Sequence, residues 1–136
     1  MFTNEVFDRL TSVRAYLKKA YIDPDEIEIQ NTSNPDEVGL RDTLYGIMES
    51  LGDILADINY WNKPVTLEGT LQKNANGRYE LNGFEFTSGW GIEVLIPADE
   101  YRPAHWVYSS IEADEKDYFL VYDHRRLDGL QARLRR

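Results

Sequence analysis

The residues best suited to binding a basic partner are four carboxylates, Asp42, Glu49, Asp53 and Asp57. At about 100° per residue they fall within one sector of a helix, opposite its apolar stripe, and none has a Lys or Arg three or four residues away. Helical turns rise about 5.4 Å, comparable to the phosphate spacing along a strand, so this acidic ridge can imitate a nucleic-acid backbone toward a basic protein. The alternative is a solvated helix face without a partner.

A second candidate is Trp90, which lies between two glycines in a predicted loop. A tryptophan with little strand support can be an exposed anchor for a protein partner, because large aromatic side chains contribute strongly to interface affinity. It can equally cap the end of a barrel. The sequence leaves both interpretations open, although loops often carry function.

The C-terminal tail is locally basic, in contrast to the rest of the chain, and its arginines form a candidate phosphate-binding set. The aromatic side chains of the same half would add stacking surfaces. The alternative is internal complementarity, in which these arginines lie against the acidic helices, and the net charge of −9 favours it. The arginines concerned are Arg125, Arg126, Arg133 and Arg135.

The sequence offers little for catalysis or metal binding. It has no cysteine, which excludes disulfides, thiolate zinc sites and thiol nucleophiles. His105 and His124 lie in different predicted segments without a second ligand or a serine at a meaningful spacing. Glu85 and Glu93 can face each other across strands as hydrolases require, yet any acid-rich barrel offers such pairs. We therefore expect no enzyme activity, no catalytic residues, no metal and no cofactor.

Two helices are predicted to position the acidic ridge. The first covers residues 3 to about 21, and the second runs from about Asp36 to Trp61. The segment between them has two prolines and a Ser/Thr/Asn cluster, which predicts a loop joining antiparallel helices. The apolar stripes expected to face inward are Val6, Leu10, Val13, Leu17 and Ala20 in the first helix, and Leu40, Leu44, Ile47, Met48, Leu51, Ile54, Leu55 and Ile58 in the second.

From Pro64 onward the hydrophobic period becomes two and Asx-Gly or Ser-Gly turns become dense, which predicts a sheet. Many short strands favour a small antiparallel, SH3-like β-barrel, because closure removes free edges. The fold class is thus α+β, with a helical hairpin at 1–63 and a barrel at 64–136. The predicted strands are 65–72, 78–81, 84–87, 91–96, 105–112, 117–122 and 131–135.

The C-terminal half also resembles a known family. The segments GRYEL, TSG, IEVLI and the closing LDGLQARLR are together similar to a small uncharacterised-domain family carried by conjugative elements and phages of Gram-positive bacteria. The resemblance covers about residues 65–135 and leaves the helical hairpin outside. It implies a barrel and a mobile-element origin, and brings no activity or site residues with it.

Composition limits the class of partner. With 15 basic and 24 acidic residues, the chain is poorly suited to nonspecific attachment to DNA or an anionic membrane. No stretch approaches the roughly 20 apolar residues of a membrane span, and the N-terminus lacks a signal-peptide pattern, so we expect a cytoplasmic protein.

Two functional hypotheses follow. The first is a non-enzymatic accessory protein of a mobile element that binds a basic host or element-encoded protein, such as a defence nuclease that it would inhibit by occlusion. The second is a nucleic-acid-binding accessory module that uses the barrel and its arginine-rich tail, while leftover apolar surface of the hairpin dimerises.

Overall fold

A computed structural model describes residues 1–136, which divide into two compact units. The hairpin unit is Met1–Asn62 and the sheet unit is Lys63–Arg136. Two helices followed by antiparallel sheets confirm the predicted α+β class. Neither helix is long and apolar enough to cross a membrane.

The hairpin unit consists of α1 (Thr3–Ala20), a short 3-10 turn (Pro24–Glu26) and α2 (Pro35–Asn62). The helices are antiparallel, because Asn62 donates a hydrogen bond to Thr11 and Arg14 donates one to Asn59. Tyr21, just after α1, packs its ring against Gly52, where an added Cβ would lie 3.2 Å from the ring. Absence of a side chain at residue 52 therefore permits this close approach.

The side of α1 that faces α2 differs from the prediction. Phe7, Thr11, Arg14 and Leu17 are half-buried, and of these only Leu17 belongs to the predicted inward stripe. Val6, Leu10 and Val13 of that stripe stay 41–44% exposed. The prediction was wrong for these three residues because hydrophobic periodicity identifies an apolar face without specifying what covers it. In α2 the buried side chains are Leu55 and Ile58.

The sheet unit has eight strands in two antiparallel sheets. The larger sheet has the order β1-β8-β5-β6-β7, and the smaller one has the order β2-β3-β4. The strands are β1 (Val65–Thr70), β2 (Gln72–Lys73), β3 (Tyr79–Leu81), β4 (Phe84–Glu85), β5 (Gly91–Ile96), β6 (His105–Ala113), β7 (Tyr118–Leu120) and β8 (Gln131–Arg135).

The predicted strand 65–72 is divided between the two sheets at Leu71. This side chain is fully buried, and its N–H donates to the carbonyl of Leu130 while its own carbonyl accepts from Gly129. The predicted SH3-like barrel is not closed, since β1 and β7 are the edges of the five-stranded sheet. Strands of two or three residues in β2, β4 and β7 give ladders too short to close it.

One continuous core fills the sheet unit. Its members alternate with residues of the opposite sheet face along the strands, as Ile92, Val94 and Ile96 do in β5. The turns that connect the strands have glycine in the left-handed region, where side chains are disfavoured, at Gly77, Gly83, Gly89 and Gly129. The core residues are Leu71, Tyr79, Leu81, Phe86, Ile92, Val94, Ile96, Ile111, Leu120, Leu127, Ala132 and Leu134.

Candidate protein-binding surfaces

The acidic ridge lies along the exposed side of α2. All four carboxylates are exposed, and the one ion pair of the hairpin unit joins Asp42 to its neighbour Arg41 at 3.8 Å, in a position accessible to solvent. An exposed pair of this kind contributes little. Glu49, Asp53 and Asp57 have no cation within 4.0 Å, so the ridge presents net negative charge to solvent.

A second surface of the hairpin unit is apolar, and its residues were predicted to lie in the buried stripes. Each of its side chains is between 41% and 57% exposed. The seven-residue spacing of Leu40, Ile47 and Ile54 in α2 could have identified this surface. In the sequence these three residues are part of a wider apolar stripe, so their spacing does not stand out. We call this surface the apolar face and define it by Val6, Leu10 and Val13 of α1 and Leu40, Ile47 and Ile54 of α2.

Trp90 lies in the loop before β5 and is 43% exposed. Its backbone is fixed on both sides, since its N–H donates to Thr87 and its carbonyl accepts from Ile111. Its ring meets the edge of Phe84 with centroids 5.3 Å apart. One part of the ring therefore packs on the sheet unit and the rest is exposed to solvent, and the role of Trp90 as an anchor for a protein partner stays a prediction.

Two of the four candidate arginines are held on the sheet by a buried carboxylate. Arg133 and Arg135 of β8 each donate a 2.8 Å hydrogen bond to Glu93 of β5, whose side chain is 1% exposed. The guanidinium of Arg133 also stacks 3.9 Å above the ring of Trp106. A buried carboxylate needs such partners to remain charged at acceptable cost. These two arginines therefore stabilise the sheet.

The other two arginines are paired near the end of β7. Arg125 forms a 2.6 Å ion pair with Asp123, and Arg126 donates two hydrogen bonds to Asp114. The predicted partners of these arginines were the acidic helices, whereas the partners observed are carboxylates of the sheet unit. Arg126 and two backbone N–H groups hold the pKa of the Asp114 carboxyl well below its usual range.

A partly buried hydrogen bond joins β3 of the smaller sheet to the turn between β6 and β7, next to this cluster. The Tyr79 hydroxyl donates to Asp117 at 2.8 Å, and Lys73 lies 3.4 Å from the same carboxylate. Burial, together with that hydrogen bond, raises the pKa of Tyr79 to about 12. Because Tyr79 is a core residue, its hydroxyl group stabilises the fold and is not accessible to a substrate.

The remaining polar candidates do not converge. His105 lies 2.9 Å from the carbonyl of Pro103, whereas His124 stacks on Phe119 and lies 3.4 Å from Asp114. Glu85 pairs with Arg78 at 2.9 Å and does not face Glu93. No group of three or more His, Cys, Asp or Glu residues is arranged to hold a metal ion.

The C-terminal half of the chain is similar to a known protein family. Residues 69–134 match the family model described as a domain of unknown function (DUF5348). This segment begins in β1 and ends in β8, so the matched domain coincides with the sheet unit and leaves the hairpin unit outside. The resemblance of the C-terminal half to an uncharacterised domain is confirmed at that level. No curated protein and no solved structure matches the chain.

Proposed function

We propose that this chain is a non-enzymatic protein-binding accessory protein of a mobile element, and that the hairpin unit is its binding part. The partner is a basic protein of the host or the element. A defence nuclease, inhibited by occlusion of its nucleic-acid-binding surface, is the form of partner that an acidic ridge suits best.

The observation that carries the proposal is the unpaired charge of the acidic ridge. Glu49, Asp53 and Asp57 are exposed and have no cation within 4.0 Å, although α1 carries four cations in the same unit. A surface of one sign attracts an oppositely charged partner and increases the rate of association. Trp90, rigid and half-exposed, is a second contact point that the sheet unit can offer.

Capture from nuclease-treated lysate tests the proposal with a matched pair of variants. In one, the acidic ridge is neutralised by Asp42→Asn, Glu49→Gln, Asp53→Asn and Asp57→Asn. In the other, the same change in charge is made on the sheet unit at Glu68, Glu100, Glu112 and Glu115, each to Gln; all four are exposed and outside any ion pair. We expect a basic protein to be captured by wild type and control, with capture lost in the ridge variant and weakened as salt rises.

Equal capture by both variants would contradict the role of the ridge and leave Trp90 as the anchor to test.

The second hypothesis, nucleic-acid binding through Arg125, Arg126, Arg133 and Arg135, predicts instead that untreated lysate yields nucleic acid in a salt-dependent manner. The ion pairs of these arginines argue against it, because a guanidinium that already holds a carboxylate has fewer donors for phosphate.

A further inference from the structure

The apolar face occupies one side of the hairpin unit. With Val6 of α1 and Leu40 of α2 assigned to heptad position g, the contacts between the helices join positions a and e, since Thr11 meets Asn62, Arg14 meets Asn59 and Tyr21 meets Gly52. Antiparallel helices place like-named heptad positions on the same side. Every residue of the apolar face is at position g, except Leu10 at position d, so the two helices expose their apolar side chains in the same direction.

The size of the apolar face is appropriate for association of folded chains. Six aliphatic side chains with about half of each surface in solvent amount to on the order of 500 Å², near the top of the range for the largest patch on a monomer. A standard interface removes roughly 800 Å² from each partner, part of which comes from a polar rim. The apolar face and its rims can therefore supply most of one side of such an interface.

The charges of the two helices indicate which helix of a second hairpin would lie over each helix of the first. In α1 there are four Lys or Arg residues and two acids, whereas α2 has six acids and one Arg. Within the hairpin unit no ion pair joins the two helices, because the one ion pair of the unit lies inside α2. A second hairpin that placed its basic helix over the acidic helix of the first, and the reverse, would pair helices of opposite net charge.

We propose that the apolar face binds a second copy of this chain, forming an antiparallel four-helix bundle with the two-fold axis parallel to the helices. Each α1 then lies over the α2 of its partner. The arrangement is isologous: the apolar face of each copy contacts the apolar face of the other, so the assembly closes at two copies. In this dimer Asp42 and Glu49 lie on the side of α2 away from the apolar face and remain exposed to a basic partner.

Sedimentation velocity into the high micromolar range tests the dimer on the full chain. Ile47→Glu is compared with Val121→Glu, since both residues are 50% exposed and Val121 lies in the sheet unit. We expect wild type and Val121→Glu to dimerise equally and Ile47→Glu to raise the dissociation constant by roughly 100-fold or more, because a charge would be buried without a partner. Ile47→Ala should weaken the dimer less.

Circular dichroism shows whether the hairpin of Ile47→Glu is still helical, and Ile47→Ala tests the same contact without adding charge. A wild-type protein that is monomeric at every concentration would overturn the proposal. If neither Ile47 variant changed the dissociation constant of the dimer, the interface would lie on another surface and the proposal would equally be overturned.

Disulfide formation tests the order of the helices, since the natural chain has no cysteine. Ala20 and Ile54 lie at the same height of the hairpin, next to the contact between Tyr21 and Gly52. Single variants Ala20→Cys and Ile54→Cys, mixed and oxidised, should form the mixed disulfide in preference to either self-disulfide. Preference for a self-disulfide would overturn the placement of α1 over the partner's α2.

Discussion

The two units of this chain use their charges and apolar side chains in opposite ways. In the sheet unit twelve residues form one buried core, and Glu93, Asp114 and Asp123 each hold at least one arginine. In the hairpin unit two side chains, Leu55 and Ile58, are buried, and most charged groups face solvent without ion-pair partners. The sheet unit is therefore stabilised by its own contacts, whereas much of the apolar and charged surface of the hairpin unit stays exposed to solvent.

Truncation of apolar side chains in each unit should show the largest difference between the two units. Phe86→Ala removes a 1% exposed ring from the core and should lower the free energy of unfolding by about 4 kcal/mol. Leu10→Ala, made on the 43% exposed face of α1, should cost less than about 1 kcal/mol in the monomer. Urea unfolding at low protein concentration measures both, and similar losses would contradict the contrast between the units.

Removal of the buried charge should have the next largest effect. Glu93→Gln leaves Arg133 and Arg135, both largely buried, without a neutralising carboxylate, and should cost about 3 kcal/mol. The control is Glu112→Gln, an exposed residue of the same sheet that should be nearly neutral. Urea titration measures the free energy of unfolding of both variants. A Glu93→Gln protein as stable as the wild type would show that the cluster of Glu93, Arg133 and Arg135 is not required for the fold.

Acid should produce a smaller, graded loss of stability in the sheet unit. The pKa of Asp114 is lowered in the folded state, so its contribution is complete above its ordinary value of 3.8 and is lost as the pH falls through the lowered one. The urea midpoint should therefore decrease as the pH falls below about 4, and Asp114→Asn should flatten that decrease. An unchanged pH profile in the variant would show that other carboxylates dominate.

Much of the fold can be predicted from local patterns. Both helices were placed to within a few residues, and each predicted strand overlaps an observed one, because period and turn chemistry act over a few neighbours. The turns at Asn76-Gly77, Asn82-Gly83, Ser88-Gly89 and Asp128-Gly129 all have glycine at positive φ, as their dipeptides predict.

The candidate surfaces were predicted less completely. The exposure of the acidic ridge follows from one helix alone, because its carboxylates lie opposite an apolar stripe. The apolar face was missed, since Ile47 and Ile54 read as part of the buried stripe and only packing shows which part of a wide stripe the neighbouring helix covers. The same limit applies to Val6 and Val13 in α1.

By itself the sequence determined the α+β order, the turns, the exposed acidic ridge and the lack of cysteine chemistry, since each depends on residue identity and short-range spacing. Tertiary structure alone decided that the chain changes sheets at Leu71, that the sheets stay open, and that Arg133 and Arg135 meet Glu93. Those outcomes depend on pairing across some forty residues of chain, where many registers satisfy the same alternating pattern and only the packed core selects one.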